Sequence, residues 1–363
     1  MTHRRSILFS GYAPVHFVCF QPLYDRLAFL PGVDVFVSGG LRTKTGSGYS
    51  YDASGLYAPL EVPGERILTV DEIRKRDFDV LFSAHSKKIE PRNAATSIQI
   101  FHGLSFRNKA VRPENTGYDY YFVVGPYMRR RFCEAGLFAE DDPRIVPVGF
   151  MKTDRLLNGE LSRAELLRRH GLDGSRPILL YAPTGAKHNS LETMGEEAIR
   201  RLAQENRYDL LIKPHDHPKN RDVDWLERLR PLESEHCKVV RDADVIPLAF
   251  LADLLISDAS SVSNEYALLD RPMLFLDVPE LIHDAAEKRG SMLDLDTWGR
   301  KGGAIVKRAE DVPAAVARAC SDPGEHAAVR RAMVRDLFYN PGRATDAALR
   351  FLEEKVLRPM GGD

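Results

Sequence analysis

The feature that most constrains this chain is an alternation of short apolar runs with helix-length amphipathic stretches, sustained over most of its length. Such alternation builds βαβ units, and these assemble into parallel sheets covered by helices. In the first half it predicts strands near 6–10, 33–37, 79–83, 97–101, 120–124 and 144–148, with helices around 20–30 and 126–136. A second series predicts strands at 177–181, 208–212, 237–240, 254–257 and 273–276, and residues 327–357 read as helical, broken by Asn340-Pro341-Gly342. At 363 residues the chain exceeds what one core comfortably holds. The expectation is an α/β protein with two Rossmann-like domains facing a cleft. The N-terminal domain spans 1–160, the second spans 175–340, and a C-terminal helix within 341–363 packs back on the first.

Composition narrows the partners. A formal net charge of −1 gives no global attraction to nucleic acid or membrane, so any such affinity must be local. One local excess exists: from His85 to Arg131 there are nine Lys/Arg against three Asp/Glu, including Arg129-Arg130-Arg131. That patch suits an anionic membrane face as well as it suits a solvated helix, and it carries no nucleic-acid-binding signature. Cys19, Cys133, Cys237 and Cys320 stand singly, with no metal-ligand spacing, which fits a reducing compartment and small buried side chains. The start of the chain reads as a first strand rather than a signal peptide, and no run approaches the roughly 20 apolar residues of a membrane span. The expected location is cytoplasmic.

Open parallel sheets bind ligands beyond the carboxyl ends of their strands, so polar residues just after predicted strands are the candidates. His102-Gly103 follows the strand ending at Phe101, with Arg107 and Lys109 in the loop beyond. An imidazole there suits a general base, and Gly103 lets backbone approach a ligand; the alternative is a surface histidine that happens to end a strand. Tyr181-Ala182-Pro183-Thr184-Gly185 runs a strand into a small-residue loop, where Thr184 suits a phosphate. The plainer reading is a connection capped by Asn189 or Ser190. Lys213, His215 and His217 concentrate donors after another strand and suit a pyrophosphate. His215 and His217 have His-x-His spacing, but no carboxylate pattern completes a metal site. Ser257-Asp258 ends a further strand and Ser260-Ser261 opens a helix, which makes an anion site or simply an N-cap, with Asp258 orienting its neighbours. Gly11-Tyr12-Ala13-Pro14-Val15-His16-Phe17 follows the first strand, and His16 is a further candidate facing an acceptor.

Taken in order, these segments resemble the CDP-glycerol glycerophosphotransferase family. Phe101 to Arg107 resembles its W-H-G-T-P-x-K segment, Gly149 to Leu156 its G-x-P-R-x-D-x-L, and Tyr181 to Thr184 its Y-A-P-T. Lys213-Pro214-His215 resembles K-x-H-P, and Ala252 to Ser261 is similar to S-D-x-x-I-T-D-Y-S-S. The match runs from about residue 97 to 277. Phe101 replaces the tryptophan, Leu104-Ser105 the Thr-Pro pair, Asp216 the proline after the histidine, and Ala259 the tyrosine.

The resemblance implies a GT-B-like fold and transfer of glycerol phosphate, or a related polyol phosphate, from a CDP-activated donor, with release of CMP. The acceptor it implies is a hydroxyl of a cell-envelope glycan or polyprenyl-linked carrier, and such an acceptor implies peripheral contact with the inner face of the cell membrane. His102 takes the base role; Lys213, His215, Ser260, Ser261 and Thr184 hold the donor pyrophosphate; His217, Asp258, Gly103, Arg107 and His16 are secondary. No cofactor and no metal are expected. The alternatives are a GT-B glycosyltransferase using a CMP- or UDP-sugar, a UDP-sugar 2-epimerase, and a non-catalytic nucleotide-binding protein.

Overall fold

The computed structural model describes residues 4–357, apart from 47, 86–87, 105–112, 114–115, 216–221, 243 and 288–296. The chain divides into two compact units. The first takes the described residues up to Asp154 and those from Leu337 onward; the second takes Arg155–Asp336.

The first unit is built on strands β1 (Arg5–Gly11), β2 (Val33–Gly39), β5 (Asp77–Ser83), β6 (Asn93–Ile100), β7 (Tyr120–Val123) and β8 (Ile145–Pro147). They form one parallel sheet in the order β2-β1-β5-β6-β7-β8. Ile7, Leu8 and Phe9 are all fully buried, as expected for a central parallel strand covered on both faces. Phe9 stacks on Phe82 of the neighbouring strand at 4.7 Å and on Phe20 at 4.8 Å. Phe20 belongs to the helix Pro14–Ala28, which buries Phe17, Leu23, Tyr24 and Leu27 along the same stripe. That helix begins earlier than its apolar pattern indicates, because Pro14 sits in its first turn, where a fixed φ and a missing N–H cost nothing.

Between β2 and β5 the chain makes an antiparallel hairpin, β3 (Leu41–Thr45) with β4 (Gly48–Asp52), which the sequence pattern did not announce. Its residues are polar on both faces and nearly all exposed, so no apolar alternation marks it.

The last segment of the chain completes the first unit. The Tyr339 amide donates to the Val124 carbonyl at 2.7 Å. The Asn340 side chain donates to the carbonyls of Pro147 and Val148 at 2.9 and 3.0 Å. The helix Ala344–Lys355 then buries Ala344, Ala348, Leu349 and Leu352 in the core that contains Phe9 and Phe82.

The second unit carries β9 (Ile178–Tyr181), β10 (Asp209–Ile212), β11 (Cys237–Val239), β12 (Leu254–Ser257), β13 (Met273–Leu276) and β14 (Ala304–Val306). All are parallel, in the order β11-β10-β9-β12-β13-β14. β14 is a three-residue strand after Gly302-Gly303, too short for its periodicity to show. Each sheet thus winds outward in both directions from its first strand. The reversal falls at β1/β5 in one unit and at β9/β12 in the other, where the diverging connections leave a crevice at the carboxyl ends.

Candidate functional site

In the first unit the strand-end loops at the reversal carry three histidines. His16 comes from the helix after β1, His85 from two residues past β5, and His102 from two residues past β6. The rings are neighbours: His16 lies 4.7 Å from His102 and 5.8 Å from His85, centroid to centroid. Tyr12 closes the group at 4.5 Å from His16 and 4.7 Å from His85.

Hydrogen bonds fix the protons. Nδ1 of His102 lies 2.8 Å from the Ala84 carbonyl, which only accepts, so that nitrogen carries the hydrogen. In the neutral ring Nε2 therefore keeps its lone pair. Crowding around the ring holds the His102 pKa below its usual value; the Ala84 bond opposes this and the nearby Lys152 charge adds to it. The residue nevertheless stays exposed at the surface. His16 has the opposite arrangement. Its Nδ1 accepts from the Tyr12 amide at 3.1 Å, which puts the neutral ring's hydrogen on Nε2. His85 is buried, and its carbonyl is held by the hydroxyls of Ser83 (3.1 Å) and Tyr118 (2.8 Å). Lys152 is buried in the same unit, its ammonium 4.9 Å from the Phe150 ring centroid.

The reversal of the second unit is organised by Asp258, which is fully buried. Its carboxylate accepts from the amides of Thr184 (2.8 Å), Ser190 (3.0 Å) and Ala259 (2.7 Å), and from the Ser190 hydroxyl (2.9 Å). Burial pushes this carboxyl's pKa up, and the four donors pull against that. Asp258 thereby ties the loop after β9 to the loop after β12, which is an orienting role. Thr184 is half-buried beside it, Ser260 is half-buried and Ser261 exposed. Lys213 is buried at the end of β10, with Nζ 3.3 Å from the Pro214 carbonyl, and His215 is exposed.

Some expectations change. The helix after Ser260-Ser261 is Val262–Tyr266, only five residues, and Ser261 makes no side-chain cap. So short a helix has little macrodipole, so an anion there would depend on hydroxyls and individual amides. Asn189 does cap, accepting from the amides of Leu191 and Glu192, while the Ser190 hydroxyl is committed to Asp258 and Tyr181. Gly103 would meet nothing within 4 Å if it gained a Cβ, so the fold itself does not demand glycine there. Arg107 and His217 lie outside the described residues.

In the Gly149–Leu156 segment, Gly149 and Asp154 have architectural roles, while Lys152 lends its charge to the surroundings of His102. Gly149 has φ +107°, and an added Cβ would fall 2.2 Å from the Tyr339 carbonyl oxygen. The Asp154 carboxylate accepts from the amides of Ala344 (2.9 Å) and Thr345 (2.7 Å), satisfying the first turn of the last helix from outside it.

Sequence reasoning missed Tyr12, His85 and Lys152. His85 had a signal, since it follows a predicted strand by two residues, the spacing that singled out His102. Among the described residues no group of three or more His, Cys, Asp or Glu side chains is arranged to hold a metal ion, and no helix is long and apolar enough to cross a membrane. Cys19 and Cys237 are buried and in no disulfide, and burial pushes the Cys237 pKa up to about 11, which suits packing rather than nucleophilic attack.

Two doubly wound parallel domains with polar groups at each reversal define a GT-B-like α/β protein. The solved wall teichoic acid polymerase TagF superimposes with a TM-score of 0.69 at 17% identity, covering 99% of this chain and 91% of that one. A UDP-N-acetylglucosamine 2-epimerase does so with a TM-score of 0.57 at 15% identity, covering 100% and 99%. The fold is thus shared by two chemistries. The sequence separates them: the model of the family described as CDP-Glycerol:Poly(glycerophosphate) glycerophosphotransferase matches residues 80–354, and the chain belongs to that family. The teichoic acid glycerol-phosphate primase of Bacillus spizizenii is 28% identical over 48% of this chain and 40% of its own length. The teichoic acid ribitol-phosphate primase of the same strain is 28% identical over 52% of each. The chain spans about half the length of these curated relatives.

Proposed function

We propose that the protein transfers glycerol phosphate, or a related polyol phosphate, from a CDP-activated donor to a hydroxyl of a cell-envelope glycan or lipid-linked acceptor, releasing CMP. Family membership supports the reaction class, and the relatives' names include both glycerol phosphate and ribitol phosphate. The observation that carries the mechanism is the His102–Ala84 hydrogen bond, which leaves Nε2 as the accepting nitrogen on a ring whose pKa is lowered.

In this reading His102 Nε2 takes the proton of the acceptor hydroxyl as its oxygen attacks the β-phosphorus. The bond from that phosphorus to the bridging oxygen breaks, and CMP leaves with the electron pair. Charge on the phosphate oxygens is met in the second unit by Lys213, His215, Thr184, Ser260 and Ser261, with Asp258 holding the loops in place. A membrane-borne acceptor would bring the protein to the inner membrane face.

The test is CMP release from CDP-glycerol and CDP-ribitol, with and without a lipid-linked acceptor, in the wild type and His102→Gln. Acceptor-dependent release that falls by about 10²–10⁴ in the variant supports the reading. Acceptor-independent UDP release from a UDP-sugar, or turnover indifferent to His102, overturns it.

A further inference from the structure

The β3–β4 hairpin touches the core of the first unit through the half-buried Tyr51, and its placement is specific. Gly39 and Gly40 both have positive φ (+95° and +122°), and a Cβ on Gly39 would fall 2.0 Å from the Gly11 carbonyl oxygen. The Gly40 amide donates to that same carbonyl at 2.9 Å. The glycine pair therefore carries the chain tightly across the end of β1, next to Tyr12. At the far end Asp52 accepts from the Gly55 amide, and the Tyr57 hydroxyl donates to the Ser38 carbonyl at 2.7 Å, which pins the return.

On the hairpin the Arg42 guanidinium lies over two tyrosine rings. It lies 4.0 Å from the Tyr12 ring centroid and 4.7 Å from that of Tyr49, which is 49% exposed. Across the ladder Lys44 pairs with Tyr49. From Leu41 to Tyr51 the sequence has two cations and no carboxylate, and among the described residues neither Arg42 nor Lys44 has an ion-pair partner. A guanidinium held against aromatic rings with no ion-pair partner keeps N–H groups that can take a phosphate with two parallel hydrogen bonds. Ring contacts continue inward: Tyr12 meets His16 edge-on at 4.5 Å, and His16 lies tilted against His102 at 4.7 Å.

We propose that Arg42, held against Tyr12 and Tyr49, binds a phosphodiester group of the acceptor chain and so positions its terminal hydroxyl for His102, with Lys44 adding charge. This rests on the function proposed above. The occupant is a polyol-phosphate chain rather than a lipid surface because the cation is fixed at the end of a row of touching rings that leads to the base. A membrane contact would not need that continuity.

The experiment uses the full chain with a soluble glycerol phosphate oligomer as acceptor, and a glycerol oligomer without phosphates as control. Thermal melting first establishes that Arg42→Gln, Arg42→Lys and Tyr49→Ala are folded. Binding of the oligomer without donor is then measured by calorimetry, and KM is measured separately for acceptor and donor. Arg42→Gln should weaken oligomer binding and raise acceptor KM about tenfold, with Arg42→Lys falling between it and the wild type, since lysine keeps the charge but loses the fork. Donor KM and the response to the phosphate-free control should not move. Unchanged oligomer binding in Arg42→Gln, an equal effect on the control, or a loss confined to binding of anionic phospholipid vesicles would overturn the site. If the wild type binds the oligomer through Arg42 but transfers nothing, the proposed function fails and the site stands. If it transfers normally and Arg42→Gln changes nothing, the site fails alone.

Discussion

His102 and Asp154 show how differently two residues of one set of motifs are used. His102 sits at a strand end with one nitrogen spent on the Ala84 carbonyl and a pKa lowered chiefly by desolvation. In its proposed role as base His102 must be deprotonated to act, so the rate should fall as pH drops through the folded pKa. The acidic limb of the kcat/KM profile for acceptor is expected below the ordinary value of 6.5 and absent in the residual activity of His102→Gln. The same shift favours neutral histidine in the folded protein. The unfolded chain binds the proton more readily, so this residue's contribution to stability is lost as pH falls below 6.5. Asp154 is buried, and its two oxygens serve the amides of Ala344 and Thr345. Asp154→Ala is expected to cost about 2–4 kcal/mol by denaturant unfolding, because two buried N–H groups lose a charged acceptor. Catalytic constants measured well below the variant's melting temperature should change little.

The elements explain what periodicity reveals and what it hides. β1, β5, β9 and β12 were legible because a parallel strand buried on both faces is a short unbroken apolar run, as in Ile7-Leu8-Phe9 or Leu254-Leu255-Ile256. The β3–β4 hairpin was illegible because both its faces meet water, so nothing in Leu41 to Asp52 needs to alternate. β14 escaped because three residues are too few to establish a period. Glycines carry the remaining information, and they announce a constraint without naming the partner. At Gly149 the partner is the Tyr339 carbonyl, nearly two hundred residues away. Gly149→Ala combines a left-handed φ with that collision and is expected to destabilise the first unit by roughly 2–4 kcal/mol, read as a lower denaturant midpoint with an unchanged slope. Gly103→Ala, with open space around it, should leave the midpoint where it is.

At the scale of the whole molecule the first unit is discontinuous: its sheet is finished only when residues from Leu337 onward return to it. Ala344, Ala348, Leu349 and Leu352 join a core that begins at Ile7, so the ends of the chain are folded together. A chain stopped after Asp336 is expected to lose slow hydrogen exchange in β1, β5 and β6 while keeping it in β9, β10 and β12. Protection retained in both sheets would show that the last helix is not needed for the first core. The sequence by itself determined the class of fold, since burying short apolar strands between amphipathic helices leaves few arrangements other than doubly wound parallel sheets. It also placed His102, Thr184, Lys213 and Asp258 at strand ends, because strand ends are local. Only the tertiary structure decided which strand ends meet. It set His16 between Tyr12 and His102, gave Asp258 four donors, and set Asp154 under the last helix. Periodicity reports which face of an element is apolar, whereas these meetings follow from strand order, which is fixed by packing between residues far apart in the chain.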